Sequence, residues 1–243
     1  MNFYLILLII SFIVTTIQAI ESTKVTCNID DLDHEMNKLT GVFGDTKNHN
    51  YPDDEKKLLK FCKEYKSVTK YAKAYADKCG SGTVRSILSV FAFSINQRYK
   101  RYCYKNLKSR NEILNIGKCT NTPEVEKLTQ QCYNNYLKKI ESTNSIKNNK
   151  NRIPYLCCKS YELQNCFIDG LNSIDNQSCN EAVKRDTIAL FDSIAINLLN
   201  LACDESLQFK EKCQKIDSEA KNIKKTLRYK SPFPSVLEIF ENL

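Results

Sequence analysis

Apolar residues recur along this chain at three- and four-residue spacing, the period of an amphipathic helix. Between Pro52 and Cys79 they fall at Leu58, Cys62, Tyr65, Ala72, Ala76 and Cys79, with Phe61, Val68 and Tyr75 alongside. The pattern predicts a long helix with Pro52, Asp53, Asp54 and Glu55 in its first turn and a stop at Gly80. The carboxylates complement the positive end of the helix dipole. A second helix starts at Ser81-Gly82-Thr83, with Val84, Leu88, Phe91, Ile95 and Tyr102 on one face. Thr122-Pro123-Glu124-Val125-Glu126 opens a third, with Val125, Leu128, Cys132, Tyr136 and Ile140 inward. Pro154 opens a fourth, carrying Leu156, Leu163, Phe167 and Leu171. The fifth, from about Asn180 to Cys203, is apolar around most of its circumference. Its only polar stripe is Asp186, Ser193, Asn197 and Asn200, so the pattern predicts a helix at the centre of the fold. A sixth spans about Glu205 to Lys225, and a short helix follows Pro232 and Pro234. No strand pair is found.

The fold class expected is therefore all-α: a disulfide-stapled bundle of about six helices. Residues 52–230 form one cysteine-rich helical domain. Its halves, 52–141 and 153–226, are joined by the Asn/Lys-rich linker 142–152. Residues 20–51 form an N-terminal segment, and 231–243 a tail with a short helix. The halves echo each other at an offset of 100: Cys79, Arg85, Leu88, Phe91 and Cys103 match Cys179, Arg185, Ile188, Phe191 and Cys203. That suggests two pseudo-repeated helical hairpins.

The first residues change the picture. Phe3 to Val14 is an apolar run, with no charge before Glu21. It is shorter than the roughly 20 residues of a spanning helix. It fits the core of a secretory signal cleaved after Ala19, so residues 1–19 are expected to be removed and no stable membrane anchor to remain. All twelve cysteines follow it: Cys27, Cys62, Cys79, Cys103, Cys119, Cys132, Cys157, Cys158, Cys166, Cys179, Cys203 and Cys213. An even count behind a secretory signal reads as a disulfide framework in an oxidising, extracellular compartment. At about 1.5 Å per residue, Cys62 lies roughly 27 Å and Cys103 roughly 32 Å from the turn near Gly80, so both reach the open end of the hairpin. The expected bridges are Cys62–Cys103 and, by the repeat, Cys203 with Cys157 or Cys158. Adjacent helical residues point about 100° apart, so those two should not bond each other.

Composition excludes more than it assigns. The chain of 243 residues is 42% hydrophobic and 26% charged, which rules out disorder. Two histidines, His34 and His49, leave little for imidazole catalysis, and no C-x2-C spacing supports zinc. Cys157-Cys158 is similar to the secreted phospholipase helix, but no histidine follows His49 and no Gly-rich calcium loop is present. Asp53-Asp54 sits where helix starts place carboxylates, and Arg185 with Asp192 falls at a wet helix edge. No G-x-S-x-G or P-loop occurs, so no catalytic residue, no metal and no cofactor is expected. The net charge of +8 gathers around Arg98–Lys105 and Glu205–Lys230, where a solvated helix face accounts for it without nucleic acid. Asn176-Gln177-Ser178 is a glycosylation sequon in the turn before the fifth helix.

Cys158-Lys-Ser-Tyr-Glu-Leu163-Gln164-Asn165-Cys166, then Cys179, Leu190-Phe191 and Cys203, resembles the 27 kDa haemolymph glycoprotein family of insects. The earlier run through Cys62, Cys79, Cys103 and Cys119 adds to it, so the resemblance covers about residues 55–215. Secreted cysteine-rich helical proteins of nematodes and arachnids look similar. The resemblance implies a secreted, glycosylated helical protein of body fluid and brings no catalytic residues. Two functions remain open: a non-enzymatic extracellular carrier of a small apolar ligand, or a secreted protein-interaction or effector module without a ligand cavity. A cavity of a few hundred cubic ångströms lined by the fifth helix, Phe91, Phe93, Tyr99 and Tyr102 would favour the carrier. A filled core with an exposed apolar patch would favour the module.

Overall fold

A computed structural model describes residues 25–45, 49–104, 106–199, 203, 210–218, 220 and 227–241, with the side chains of 194–199 and 210–212 left aside. The expected signal segment, 1–19, lies outside the described residues. Those residues form α1 (Ile29–Gly44), α2 (Glu55–Cys79), α3 (Gly82–Tyr104), α4 (Leu107–Thr120), α5 (Pro123–Ser142), α6 (Arg152–Ser173), α7 (Glu181–Leu199), α8 (Lys210–Asp217) and α9 (Phe233–Glu241). The described residues contain no strand, and the fold is all-α as the periodicity predicts. No described helix is long and apolar enough to cross a membrane.

Side chains set the helix starts. Asn28 caps α1 by accepting from the Asp30 amide at 2.9 Å, and Asn106 caps α4 by accepting from the Ser109 amide at 3.2 Å. Asp54, expected inside the first turn of α2, is instead its cap and accepts from the Lys57 amide at 2.7 Å. The α2–α3 turn is only Gly80-Ser81, and Gly82 enters α3 at φ 47°, a left-handed conformation that favours glycine. The Arg85 guanidinium then closes the end of α2, donating to the Ala76 and Gly80 carbonyls at 3.3 and 3.1 Å.

Two helices had no counterpart in the periodic reading. In α1, which falls in the expected N-terminal segment 20–51, Leu32, Met36 and Leu39 are buried. In α4 the buried set is short, Ile113, Ile116 and Cys119, and Gly117 interrupts it. That glycine lets α4 approach Pro52, since a Cβ there would sit 2.1 Å from the Pro52 carbonyl oxygen. The linker 142–152 is also more ordered than its composition implies. It makes two 3-10 turns, and Thr143 and Ile146 are fully buried. In α7 the side chains of 181–193 are described, and among them Leu190 and Phe191 are buried. Ala182 and Ala189 are exposed, while Ser193 of the expected polar stripe is buried and donates to the Leu190 carbonyl at 2.7 Å. Alanine contributes little area to burial, so counting it as apolar overstated the apolar circumference.

All twelve cysteines are paired. Cys62–Cys103 closes the open end of the α2–α3 hairpin, and Cys157–Cys203 does the same for α6 and the end of α7. Cys158 joins Cys213 on α8, so the adjacent pair serves two partners. Cys27–Cys79, Cys119–Cys179 and Cys132–Cys166 complete the set. Lys159 reinforces the α8 attachment. Its ammonium, almost fully buried, bridges Glu162 at 2.5 Å and Asp217 at 2.6 Å. Burial alone would lower its pKa, but the two carboxylates more than offset that and raise it.

The last described segment has no cysteine and is held by carboxylates. Asp33 of α1 accepts from the backbone amides of Lys230 and Ser231 at 2.9 and 2.7 Å. Glu141 of α5 accepts from the amides of Arg228 and Tyr229 at 2.8 and 3.1 Å. These bonds deliver α9 against α1, α3, α5 and α6. Asp33→Ala strands the buried Ser231 amide, so it should lower unfolding free energy by about 1–3 kcal/mol. Hydrogen exchange should rise selectively over residues 227–241. A uniform rise along the chain would mean that Asp33 does not hold this segment in particular.

Candidate ligand cavity

The hairpins do not close on a filled centre. Between them lies a cavity of about 450 Å³, within the roughly 300–1,000 Å³ range of small-molecule sites. Helical spacing builds each wall. Thr83, Ser86, Ile87, Val90 and Phe91 are one side of α3, while α6 gives Ile153, Leu156, Ser160 and Leu163. α1 contributes Thr40 and Phe43, α5 Tyr133 and Tyr136, and α7 Phe191. Phe233, Val236 and Phe240 of α9 line a further side. Aromatic contacts fix the walls: Phe91 meets Phe233 with ring centres 4.2 Å apart, and Phe191 stacks on Phe167 at 4.7 Å.

The cavity is apolar with a few hydroxyls, and among the described residues no charged side chain lines it. The Ser160 hydroxyl donates to the Leu156 carbonyl at 2.9 Å, and the Tyr136 and Ser160 oxygens lie 3.1 Å apart. Thr40 donates to the Met36 carbonyl and Ser86 to the Gly82 carbonyl, both at 3.3 Å. Tyr133 donates to the Lys230 carbonyl at 3.4 Å, which ties the cavity wall to the clamped segment. Burial pushes the Tyr136 hydroxyl up to about 12. Burial raises Tyr133 further still.

The lining differs from the one the aromatic pattern suggested. Phe91 and Phe191 are in it, but Phe93 is 62% exposed on the outer face of α3. Tyr99 and Tyr102 are buried elsewhere, where Tyr99 donates to Tyr104 at 2.6 Å and Tyr102 to Glu112 at 3.1 Å. Sequence reasoning missed the hydroxyl-bearing Tyr133 and Ser160 and the α9 wall. Phe233, Val236 and Phe240 at three- and four-residue spacing carried a signal for that wall.

No second centre of chemistry forms among the remaining candidates. His34 is exposed, and His49 packs over Gly41 beside Lys38, Lys57 and Glu64. Asp53 pairs with Lys57 at 2.7 Å and accepts from Asn121 at 3.2 Å, which lowers its pKa against the opposing effect of partial burial. Arg185 is exposed, and Asp192 accepts from Gln164 at 2.9 Å. No group of three potential metal ligands is found among the described residues. Asn176 sits in the turn before α7, where its side-chain oxygen accepts from the Ser178 amide at 2.9 Å.

Compared with protein-family models, with curated proteins and with solved structures, the chain matches none.

The raised tyrosines give the cavity a pH limit. Below the ordinary tyrosine value of 10.0 both folded and unfolded chains are protonated, and the contribution of burial is complete. Above it the unfolded chain ionises first, so stability is lost as pH rises from about 10 through 12. Urea unfolding between pH 8 and 12 should show this decline, and Tyr136→Phe should make it shallower. An unchanged slope in the variant would show that Tyr136 does not contribute.

Proposed function

We propose that this is a secreted, non-enzymatic extracellular protein, of the haemolymph-glycoprotein type that its cysteine spacing resembles, which carries a small apolar ligand. Six bridges and no free cysteine fit an extracellular protein. The observation that carries the ligand reading is the 450 Å³ apolar cavity itself. Interiors are normally packed to crystal density with few voids larger than water. An apolar occupant that excludes solvent from these walls gains the transfer free energy of the apolar surface it covers.

A second reading rests on a different observation. Leu59, Phe93, Tyr104 and Leu107 are each more than 60% exposed, and Leu59 and Tyr104 flank the Cys62–Cys103 bridge. Exposed apolar side chains gathered beside one bridge support a protein-interaction module if they form one surface with a partner.

The neutral probe N-phenyl-1-naphthylamine separates the readings. The carrier should bind it with one site per chain and a blue-shifted emission. Val90→Trp, which fills part of the cavity, should weaken binding at least tenfold while keeping or raising the melting temperature. Probe binding that Val90→Trp leaves intact would place it on the exposed apolar residues and favour the module. Material from a eukaryotic secretory host should also lose mass on peptide-N-glycosidase treatment, and Asn176→Gln should abolish that loss. An unshifted mass would remove the glycan from the proposal.

A further inference from the structure

We infer that the ligand is uncharged, with an apolar body and one hydroxyl group that donates a hydrogen bond to the Tyr136 oxygen. This rests on the carrier reading and names the chemistry of its ligand.

Most of the protons on the polar groups of the wall are already committed. The Ser160 hydroxyl is 2.9 Å from the Leu156 carbonyl, one turn back on α6, so its single proton goes there. The 3.1 Å contact between Tyr136 and Ser160 must then be made by the tyrosine proton. The chain therefore runs from Tyr136 to Ser160 to a backbone carbonyl. Its free end is an acceptor, the lone pairs of the Tyr136 oxygen. Ser86 and Tyr133 likewise give their protons to backbone carbonyls, and Thr40 gives its proton to the Met36 carbonyl or to Tyr133. Thr83 is exposed and belongs to the rim. The interior of the site thus accepts hydrogen bonds and has few left to donate.

That asymmetry selects a ligand. A hydroxyl in the ligand supplies the donor that Tyr136 lacks. An ester or ketone can only accept and meets another acceptor, unless Tyr136 abandons Ser160. A carboxylate is worse, because it would be desolvated among apolar walls without a cation. The described lining offers neither lysine nor arginine. Burial also keeps Tyr136 protonated, its pKa raised to about 12, so the hydroxyl chain persists at neutral pH.

The test displaces N-phenyl-1-naphthylamine with three ligands of one chain length: hexadecan-1-ol, methyl hexadecanoate and hexadecanoate. The alcohol should compete about fivefold better than the ester, the worth of one neutral hydrogen bond. It should compete at least tenfold better than the carboxylate. Tyr136→Phe should bring alcohol and ester together, each compared with the probe affinity of that same variant. Ser160→Ala should act in the opposite sense, since it frees the Tyr136 proton for a ligand acceptor and improves the ester. Hexadecanoate matching the alcohol, or an alcohol advantage that survives Tyr136→Phe, overturns this inference and leaves the carrier reading intact. A probe that does not bind at all overturns both.

Discussion

The bridges that tie helix ends together are what allow this fold to keep an interior that packing has not filled. Hydrophobic collapse favours walls that move inward until the space is gone. Here the α2–α3 and α6–α7 hairpins are clamped at their open ends by Cys62–Cys103 and Cys157–Cys203, and α5 is fixed to α6 by Cys132–Cys166. Each closes a loop of 34 to 46 residues. In the chain-entropy model each such loop contributes about 4 kcal/mol by restricting the unfolded chain. A few contributions of that size offset the packing forgone around the cavity. The frame is stable without requiring that its centre be solid.

The echo between the halves gains a structural meaning from this frame. Cys103 and Cys203 pair back across their hairpins at sequence separations of 41 and 46. Phe91 and Phe191, which correspond at the offset of 100, both reach the cavity wall. The correspondence is not complete. Cys79 pairs with Cys27 and Cys179 with Cys119, and Arg85 closes a helix end while Arg185 is exposed. What the halves share is a stapled hairpin that presents one phenylalanine to a common space.

Legibility in the sequence followed the range of the interaction. The long amphipathic helices α2, α3, α5 and α6 repeat their apolar positions over five or more turns, and their spacing alone locates them. The hairpin geometry that brings Cys62 to Cys103 follows from rise per residue. α4 was hidden because three buried residues and a glycine make too short a pattern, although its cap Asn106 was visible. The cavity was beyond local reading. A phenylalanine in a filled core and one in a cavity wall have the same periodicity, so Phe91 and Phe191 could be placed inside but not beside a space. The proton chain through Tyr136 and Ser160 depends on two helices meeting, and the Asp33 bond to Ser231 spans 198 positions.

That long-range bond also distinguishes one wall of the cavity from the others. The chain has no cysteine after Cys213, so α9 and the segment before it are attached without a covalent link. Their attachments include the carboxylates of Asp33 and Glu141 on four backbone amides, the Tyr133 bond to the Lys230 carbonyl, the Asn144 bond to Glu238, and the core contacts of Phe233, Leu237 and Ile239. α3, α5 and α6 each carry cysteines bridged to another element, and Cys203, beyond the end of α7, is bridged to α6. Local opening draws on the elements with the smallest free energy of detachment. A bridged wall cannot move far without strain in its staple, whereas α9 and the segment before it are held by hydrogen bonds and by a buried face, with Tyr229, Phe233, Leu237 and Ile239 in the core. The fold therefore separates its tasks. Disulfides hold the frame around the space, and hydrogen bonds to backbone amides together with a buried apolar face hold the one wall that carries no bridge.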